Sequence, residues 1–304
     1  MGDAMALLVT GMHRSGTSML AQWVTELGVP EVPGTAFPVD SANSEGLFER
    51  VEVVALDDRW LDRLGGSWEV PPLTSAQTWR TLDLHELEAS RAQLPFLSGR
   101  TTQWFVKDPR ICLLLPLWDR LALRRLPVVV GVRPHREVAQ SLAVRNGMTL
   151  RRALALWAEY HRALVDSGGD RAGLVVDYDR ALEAPHPAVA ALGEFVAGGV
   201  PSDVVADVAA TVKPQLRRQD TGPLAGSAER LAADLDEFRS VLGEAHLAAL
   251  PTDLPPLPDW ALEALDEMRE LWMVRRELAA VREGRTAAER AIRRTGARLR
   301  RLGR

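Results

Sequence analysis

An α/β protein with a parallel sheet flanked by helices, ending in a helical extension, is what the 304-residue sequence predicts. Three observations carry that expectation. Short apolar runs recur at 4–9, 103–106, 127–132 and 174–176, each too short for a helix. Stretches of helical period separate them, at 15–27, 110–125, 135–145 and 149–167, the alternation of a parallel sheet. The first run, AMALLV, leads within two residues into a glycine-framed stretch, GMHRSGTS.

The elements follow in order. Continuous apolarity over 4–9 suits a strand buried on both faces. The helix after the loop carries Met19, Leu20, Trp23, Val24 and Leu27 on one stripe, with Gly28 as its C-cap and Pro30 beyond. Residues 29–80 are rich in Pro, Gly and Trp and read as irregular, a lid or a wall of an acceptor site. Trp60, Trp68 and Trp79 within that stretch suit either a flat ligand or a core. The run PVVVGV ends at Arg133, and Pro134 fits the first turn of a following helix. Residues 186–250 read as helical, and LPTDLPPLPD at 250–259, with four prolines, as a stiff linker.

Beyond it, Leu271, Val274, Leu278, Val281, Arg285, Ala288, Ile292, Thr295, Leu299 and Leu302 recur in steps of three and four. Eight of these ten heptad positions are apolar, which predicts a long helix and a candidate coiled coil, weakened at Gly284 and Gly296. The expected organisation is a catalytic domain over 1–250, a proline-rich linker over 251–259 and a C-terminal helix over 260–304. The helix is expected to pair with a second copy, dock on its own domain or touch an anionic membrane as a peripheral contact. No internal repeat is present.

Composition bounds the classes. Hydrophobic residues make up 46% and charged residues 26%, the mix of a globular protein. The net charge of −4 hides an asymmetry: residues 285–304 hold eight arginines and one glutamate, so the remainder is acidic and a nucleic-acid partner is not expected. Only Lys107 and Lys213 are lysines. Cys112, the one cysteine, lies in an apolar run and reads as a buried thiol. No run approaches the ~20 apolar residues of a membrane helix, and the N-terminus lacks the pattern of a signal peptide or, at Ala6, of a myristoylation site. A cytoplasmic location is the expectation.

The glycine-framed loop carries the chemistry. It nearly matches G-x-x-x-x-G-K-[ST], but Thr17 stands where the lysine belongs and Arg14 sits inside the loop. A glycine loop opening a helix gathers backbone N–H groups and the positive end of the helix dipole, a site for phosphate or sulfate. In ATP- and GTP-using loops the lysine reaches the β/γ-phosphates and the hydroxyl residue holds Mg²⁺. Arg14 offers two N–H groups to an anionic oxygen instead. Gly11, His13, Arg14, Ser15, Gly16, Thr17 and Ser18 therefore read as a site for one phosphate bearing another group, with no metal required. At the end of the third run, Arg133 can form a bidentate pair with a phosphate, and Ser141, two turns into the next helix, can donate a further hydrogen bond.

These blocks resemble a known family. GMHRSGTSML resembles the 5′-phosphosulfate loop of sulfotransferases that use 3′-phosphoadenosine 5′-phosphosulfate (PAPS). SANSEGLFERVEVVALDDRWLDRLGGSW at 41–68 is similar to the segment after that loop in bacterial members, and WFVKDPRICLLLPLW at 104–118 to their lysine-bearing strand end. VVVGVRPHREVAQSLAVRNG at 128–147 resembles the 3′-phosphate motif, and VVDYDRALEAP at 175–185 the late strand and turn. Together they cover about residues 4–220 and leave the C-terminal helix outside.

The resemblance implies a P-loop NTPase-like sulfotransferase fold, PAPS as co-substrate, and sulfuryl transfer to a hydroxyl of a glycan, glycolipid or small metabolite. It implies that Arg14 and the loop amides hold the leaving phosphate, that Lys107 reaches the sulfuryl or bridging oxygen, and that Arg133 and Ser141 hold the 3′-phosphate. Arg217 and Arg218, in KPQLRRQD, would close over the nucleotide, although the glycine-rich version of that segment is absent. Many cytosolic members place a histidine just after the lysine; here the order is Lys107-Asp108-Pro109-Arg110. The base is then expected among glutamates before the second strand: Glu49, then Glu45, with His13 and Asp40 behind them. Lys107 has a plainer reading too, an ion pair with Asp108 or another acid. Two other functions compete. One is a small-molecule kinase, with Asp177 after an apolar strand holding Mg²⁺. The other is a non-catalytic glycan-binding scaffold.

Overall fold

The computed structural model describes residues 6–38, 47–98, 103–212 and 223–302, with side chains to residue 283. Four strands, β1 (Ala6–Thr10), β2 (Trp104–Lys107), β3 (Val128–Val132) and β4 (Gly173–Asp177), form one sheet in the order β2-β1-β3-β4. Every pairing is parallel, with Leu8 of β1 opposite Val106 of β2 and Val128 of β3. Each strand lies within two residues of the apolar run that predicts it.

The helices are α1 (Thr17–Glu26), α2 (Val51–Arg63), α3 (Ala76–Arg80), α4 (Leu84–Ala92), α5 (Ile111–Ala122), α6 (His135–Asn146), α7 (Leu150–Gly168), α8 (Tyr178–Glu183), α9 (Pro185–Ala197), α10 (Ser202–Ala210), α11 (Ser227–Ala233), α12 (Asp236–Glu244) and α13 (Asp259–Leu302). They cover both faces of the sheet, which is why the strands are continuously apolar rather than alternating. Leu8, Val106 and Val130 point into a large core with α2, α5 and α7; Leu7, Val9, Phe105 and Val129 point into a second core with α1 and α9. Each such side chain contributes about 1.5–3 kcal/mol by leaving water. Among the described residues no helix is long and apolar enough to cross a membrane.

The stretch read as irregular contains a full helix, α2, which buries Val53, Val54, Leu56, Trp60 and Leu61. The Pro and Gly on either side mask its three-and-four spacing in the sequence. Trp60 is core, and its indole N–H donates to Ser90 Oγ at 3.0 Å. Leu250 and Leu257 of the proline-rich stretch are buried as well, as are Ala261, Ala264, Leu265 and Met268 at the start of α13. Those α13 residues pack on α7, and Arg151 ion-pairs with Glu267 at 2.7 Å to fasten them. From there α13 runs unbroken to Leu302, through both glycines.

Candidate functional site

The site grows from the carboxyl ends of the parallel strands, where ligands sit in open α/β sheets. The glycine loop follows β1, Lys107 ends β2, Arg133 follows β3 and Tyr178 follows β4. Between them lies a pocket of about 350 Å³.

The loop needs its glycines. Gly11 has φ +142°, and a Cβ there would stand 2.3 Å from the Gly131 carbonyl oxygen. Gly16 has φ +82°, and its Cβ would stand 2.4 Å from the Tyr178 ring. Arg14 adopts φ +71° without being glycine, a conformation that costs about 1–2 kcal/mol for an L-residue. Two contacts hold it there. Its Nε donates to Ser141 Oγ at 2.9 Å, and its carbonyl accepts from Arg133 Nη1 at 3.2 Å. No side chain caps α1 at Gly16, and Gly16, Thr17 and Ser18 at its start line the pocket. Ser15 Oγ and His13 Nε2 are buried without a hydrogen-bond partner among the described residues. A buried polar atom left so costs about 1–3 kcal/mol, which a bound anion at the loop would recover for the serine hydroxyl.

On the far wall, Lys107 Nζ donates to Glu49 Oε1 at 2.6 Å and to the Leu47 carbonyl at 2.8 Å. Both side chains are almost wholly buried. Asp108 is not the lysine's partner. Its carboxylate accepts from the Arg110 backbone and guanidinium, while burial raises its pKa to about 6 against that pull. Burial, then the charges of Arg110 and Lys107, pushes His13 well below the ordinary histidine range, so its imidazole is neutral. The ring lies 4.6 Å from that of Trp68, whose carbonyl accepts from the Tyr160 hydroxyl at 2.8 Å.

Arg133 is less open than its sequence position suggests. Its Nε and Nη2 sit 2.8 and 2.7 Å from Glu137 Oε2, and its guanidinium lies 4.6 Å from the Tyr178 ring centroid. Ser141 accepts from Arg14, leaving its own proton for another acceptor. Asp177 caps α8 and ion-pairs with Arg239, and it is absent from the pocket lining. His13, Arg14, Gly16, Thr17, Ser18, Glu49, Lys107 and Arg133 all line the pocket, with Gly11 and Ser15 in the same loop and Ser141 reached through Arg14. Glu45, Asp40, Arg217 and Arg218 lie outside the described residues. Of the three tryptophans, Trp68 lines the pocket, while Trp60 and Trp79 pack on the core.

Arg110, Arg145 and Tyr178 are among the pocket residues that the sequence reading does not single out. Arg145 was legible, since it lies four residues after Ser141 and so shares its face of α6. Tyr178 follows the end of β4 as Arg133 follows β3, the same positional signal. Cys112 is buried against Thr10, and burial pushes its thiol up to about 12, which makes it inert.

No protein-family model matches the chain, and no curated protein matches it. Among solved structures it is similar to the sulfotransferase STF1 from Mycobacterium tuberculosis H37Rv, at 15% identity and a TM-score of 0.39, over 69% of this chain and 72% of that one.

Proposed function

We propose that this chain moves a sulfuryl group from PAPS to a hydroxyl of a glycan, glycolipid or small metabolite. One observation carries the reading: Arg14, in the loop that replaces the NTPase lysine, is hydrogen-bonded to Ser141 and, through its carbonyl, to Arg133. The contacts join residues that the family resemblance assigns to the two phosphate ends of one nucleotide, with Arg14 and Arg133 in the pocket lining and Ser141 touching Arg14. Gly11, Ser15, Gly16, Thr17 and Ser18 would hold the 5′-phosphosulfate with Arg14, and Arg133 with Ser141 the 3′-phosphate.

The acceptor hydroxyl oxygen attacks sulfur, the bond from sulfur to the bridging oxygen breaks, and the bisphosphate carries away the negative charge. Arg14 and Lys107 stabilise that charge, which removes the need for a metal. Glu49 is the first choice to take the hydroxyl proton, ahead of Glu45 and the neutral His13. Arg217 and Arg218 are proposed to close over the nucleotide. A cytoplasmic location goes with this reading. The domain division proposed is a catalytic unit to residue 250, a linker and the helix.

The test is transfer of ³⁵S from labelled PAPS to extracted hydroxyl compounds, with and without EDTA. Labelled product in both conditions is the expected result. Strict dependence on Mg²⁺, or thermal stabilisation by ATP-Mg²⁺ and not by 3′-phosphoadenosine 5′-phosphate, would overturn it in favour of a kinase. Binding of the bisphosphate with no transfer to any acceptor would leave a scaffold.

A further inference from the structure

The pocket carries more positive charge than a donor nucleotide accounts for. Among the described residues its charged lining is Arg14, Lys107, Arg110, Arg133 and Arg145 against the carboxylate of Glu49. On the sulfuryl-transfer reading, Arg14 and Arg133 face the two phosphate ends of the nucleotide. Lys107 is paired with Glu49 at 2.6 Å. Arg110 and Arg145 remain.

Arg110 is held in place. It stands just before α5 and is 8% exposed. Its Nε donates to Asp58 Oδ1 at 2.6 Å, and its Nη1 to Asp108 Oδ1 and Oδ2 at 3.1 and 3.3 Å. Neither acid lines the pocket, which the arginine itself does. Nη2 makes no hydrogen bond among the described residues and is not among the buried polar atoms, so its N–H groups are open to a ligand. A guanidinium fixed in this way gives up little freedom when it binds the paired oxygens of an oxyanion.

Arg145 lies one turn beyond Ser141 on α6 and lines the same pocket. His13 marks where the two arginines converge. Burial, then the charges of Arg110, Lys107, Arg145 and Arg14, keep its imidazole neutral, so all four cations stand within electrostatic reach of one ring. That ring lies 4.6 Å from the ring of Trp68, which also lines the pocket. Indole offers a flat apolar face to a sugar or another ring.

We propose that the acceptor is an anionic hydroxyl compound, whose ring lies against Trp68 and whose carboxylate or terminal phosphate is held by Arg110 and Arg145. The proposal deepens the sulfuryl-transfer reading and rests on it. Carboxylate and phosphate offer a guanidinium the same paired oxygens. A neutral acceptor would displace water from Arg110 Nη2 and leave its N–H groups without a charged partner.

The test splits extracted hydroxyl compounds on an anion-exchange resin and offers each fraction to the full chain with ³⁵S-labelled PAPS. Label should enter the retained fraction. Prior amidation should abolish this if the anion is a carboxylate, and alkaline phosphatase if it is a phosphate. Label confined to the unretained fraction, or acceptance that survives both treatments, would overturn the proposal. Arg110→Gln should raise the KM for the retained acceptor ~10-fold or more while affinity for 3′-phosphoadenosine 5′-phosphate holds. That change strands the buried Asp108, so Arg145→Gln, at an exposed position, repeats the measurement without a fall in Tm. An unchanged KM in Arg145→Gln would also overturn it. Label in neither fraction counts against sulfuryl transfer itself, and the anion site is then read by titration with glucuronate, glucose 6-phosphate and glucose. With 3′-phosphoadenosine 5′-phosphate present to fill the loop, an anionic sugar should bind, and Arg145→Gln should weaken it. No preference over glucose would remove the site.

Discussion

Glu49 and Lys107 hold each other at 2.6 Å in the pocket wall, one from the segment before α2 and the other from the end of β2. On the proposed sulfuryl-transfer reading, the pair would join a proton acceptor and a cation on the acceptor side. It also means that neither can be altered without changing the other's surroundings.

Glu49→Gln keeps an oxygen for the Lys107 ammonium and removes the capacity to take a proton. Turnover should fall by roughly 10²–10⁴ while affinity for 3′-phosphoadenosine 5′-phosphate holds, as read by initial rates and calorimetric titration. Glu49→Ala should behave worse, because stripping one partner from a buried pair costs about 3–5 kcal/mol in stability. Near-normal turnover in the glutamine variant would move the base to Glu45 or His13.

Arg14 and Ser141 should act as a unit. Arg14→Ala removes a charge-assisted contact of about 1.5–3 kcal/mol, and turnover should suffer more than donor affinity as charge builds on the leaving phosphate. Ser141→Ala frees the Arg14 guanidinium from its anchor at 2.9 Å. A double-mutant cycle on turnover should therefore show a coupling of about 0.5–3 kcal/mol. Strict additivity would mean that the contact has no part in catalysis.

Arg133 should discriminate nucleotides by their 3′ end. Arg133→Ala is expected to weaken 3′-phosphoadenosine 5′-phosphate strongly and adenosine 5′-phosphate hardly at all. The same change takes the ion-pair partner from the fully buried Glu137, so a lower Tm is expected alongside. The ratio of the two affinities separates the effects, since a folding defect lowers both equally. Equal losses would remove Arg133 from the 3′ site.

The parts of this molecule visible in its sequence are those with a one-dimensional signature. Each strand is a continuous apolar run, and the loop announces itself through Gly11 and Gly16, whose backbone angles and close neighbours exclude a side chain. What stayed hidden is pairing across long separations. Nothing local says that Arg14 meets Ser141 127 residues away, or that Lys107 chooses Glu49 over the adjacent Asp108. Asp108 is taken by Arg110, which turns back on it two residues later. Helix α2 was hidden for a different reason: its flanks are rich in Pro and Gly, and composition outweighed a periodicity of only three turns. The place of Tyr178 after β4 is legible, but its stacking on Arg133 and its contact with Gly16 arise only at the folded sheet edge.

Stability toward acid should report on His161. Burial holds its pKa at about 4, with Arg239 and His135 adding to the depression and the Trp157 carbonyl, which accepts from Nδ1 at 2.7 Å, opposing it. In the unfolded chain a histidine titrates near ~6.5. Below that pH the unfolded state takes up the proton first, so the stability that neutral His161 supplies is complete above ~6.5 and is lost as pH falls toward 4. The full loss is ~3 kcal/mol. Asp108 works the other way, because its raised pKa of about 6 makes the folded state hold a proton that the unfolded state releases. The histidine is therefore read by difference. His161→Gln keeps a donor for the Trp157 carbonyl and cannot titrate, so its urea stability relative to wild type should rise by ~3 kcal/mol between pH 7 and pH 4. A difference that stays flat across that window would mean that His161 is protonated in the native state near its ordinary pKa, and that its burial against the Trp157 ring exacts no electrostatic penalty.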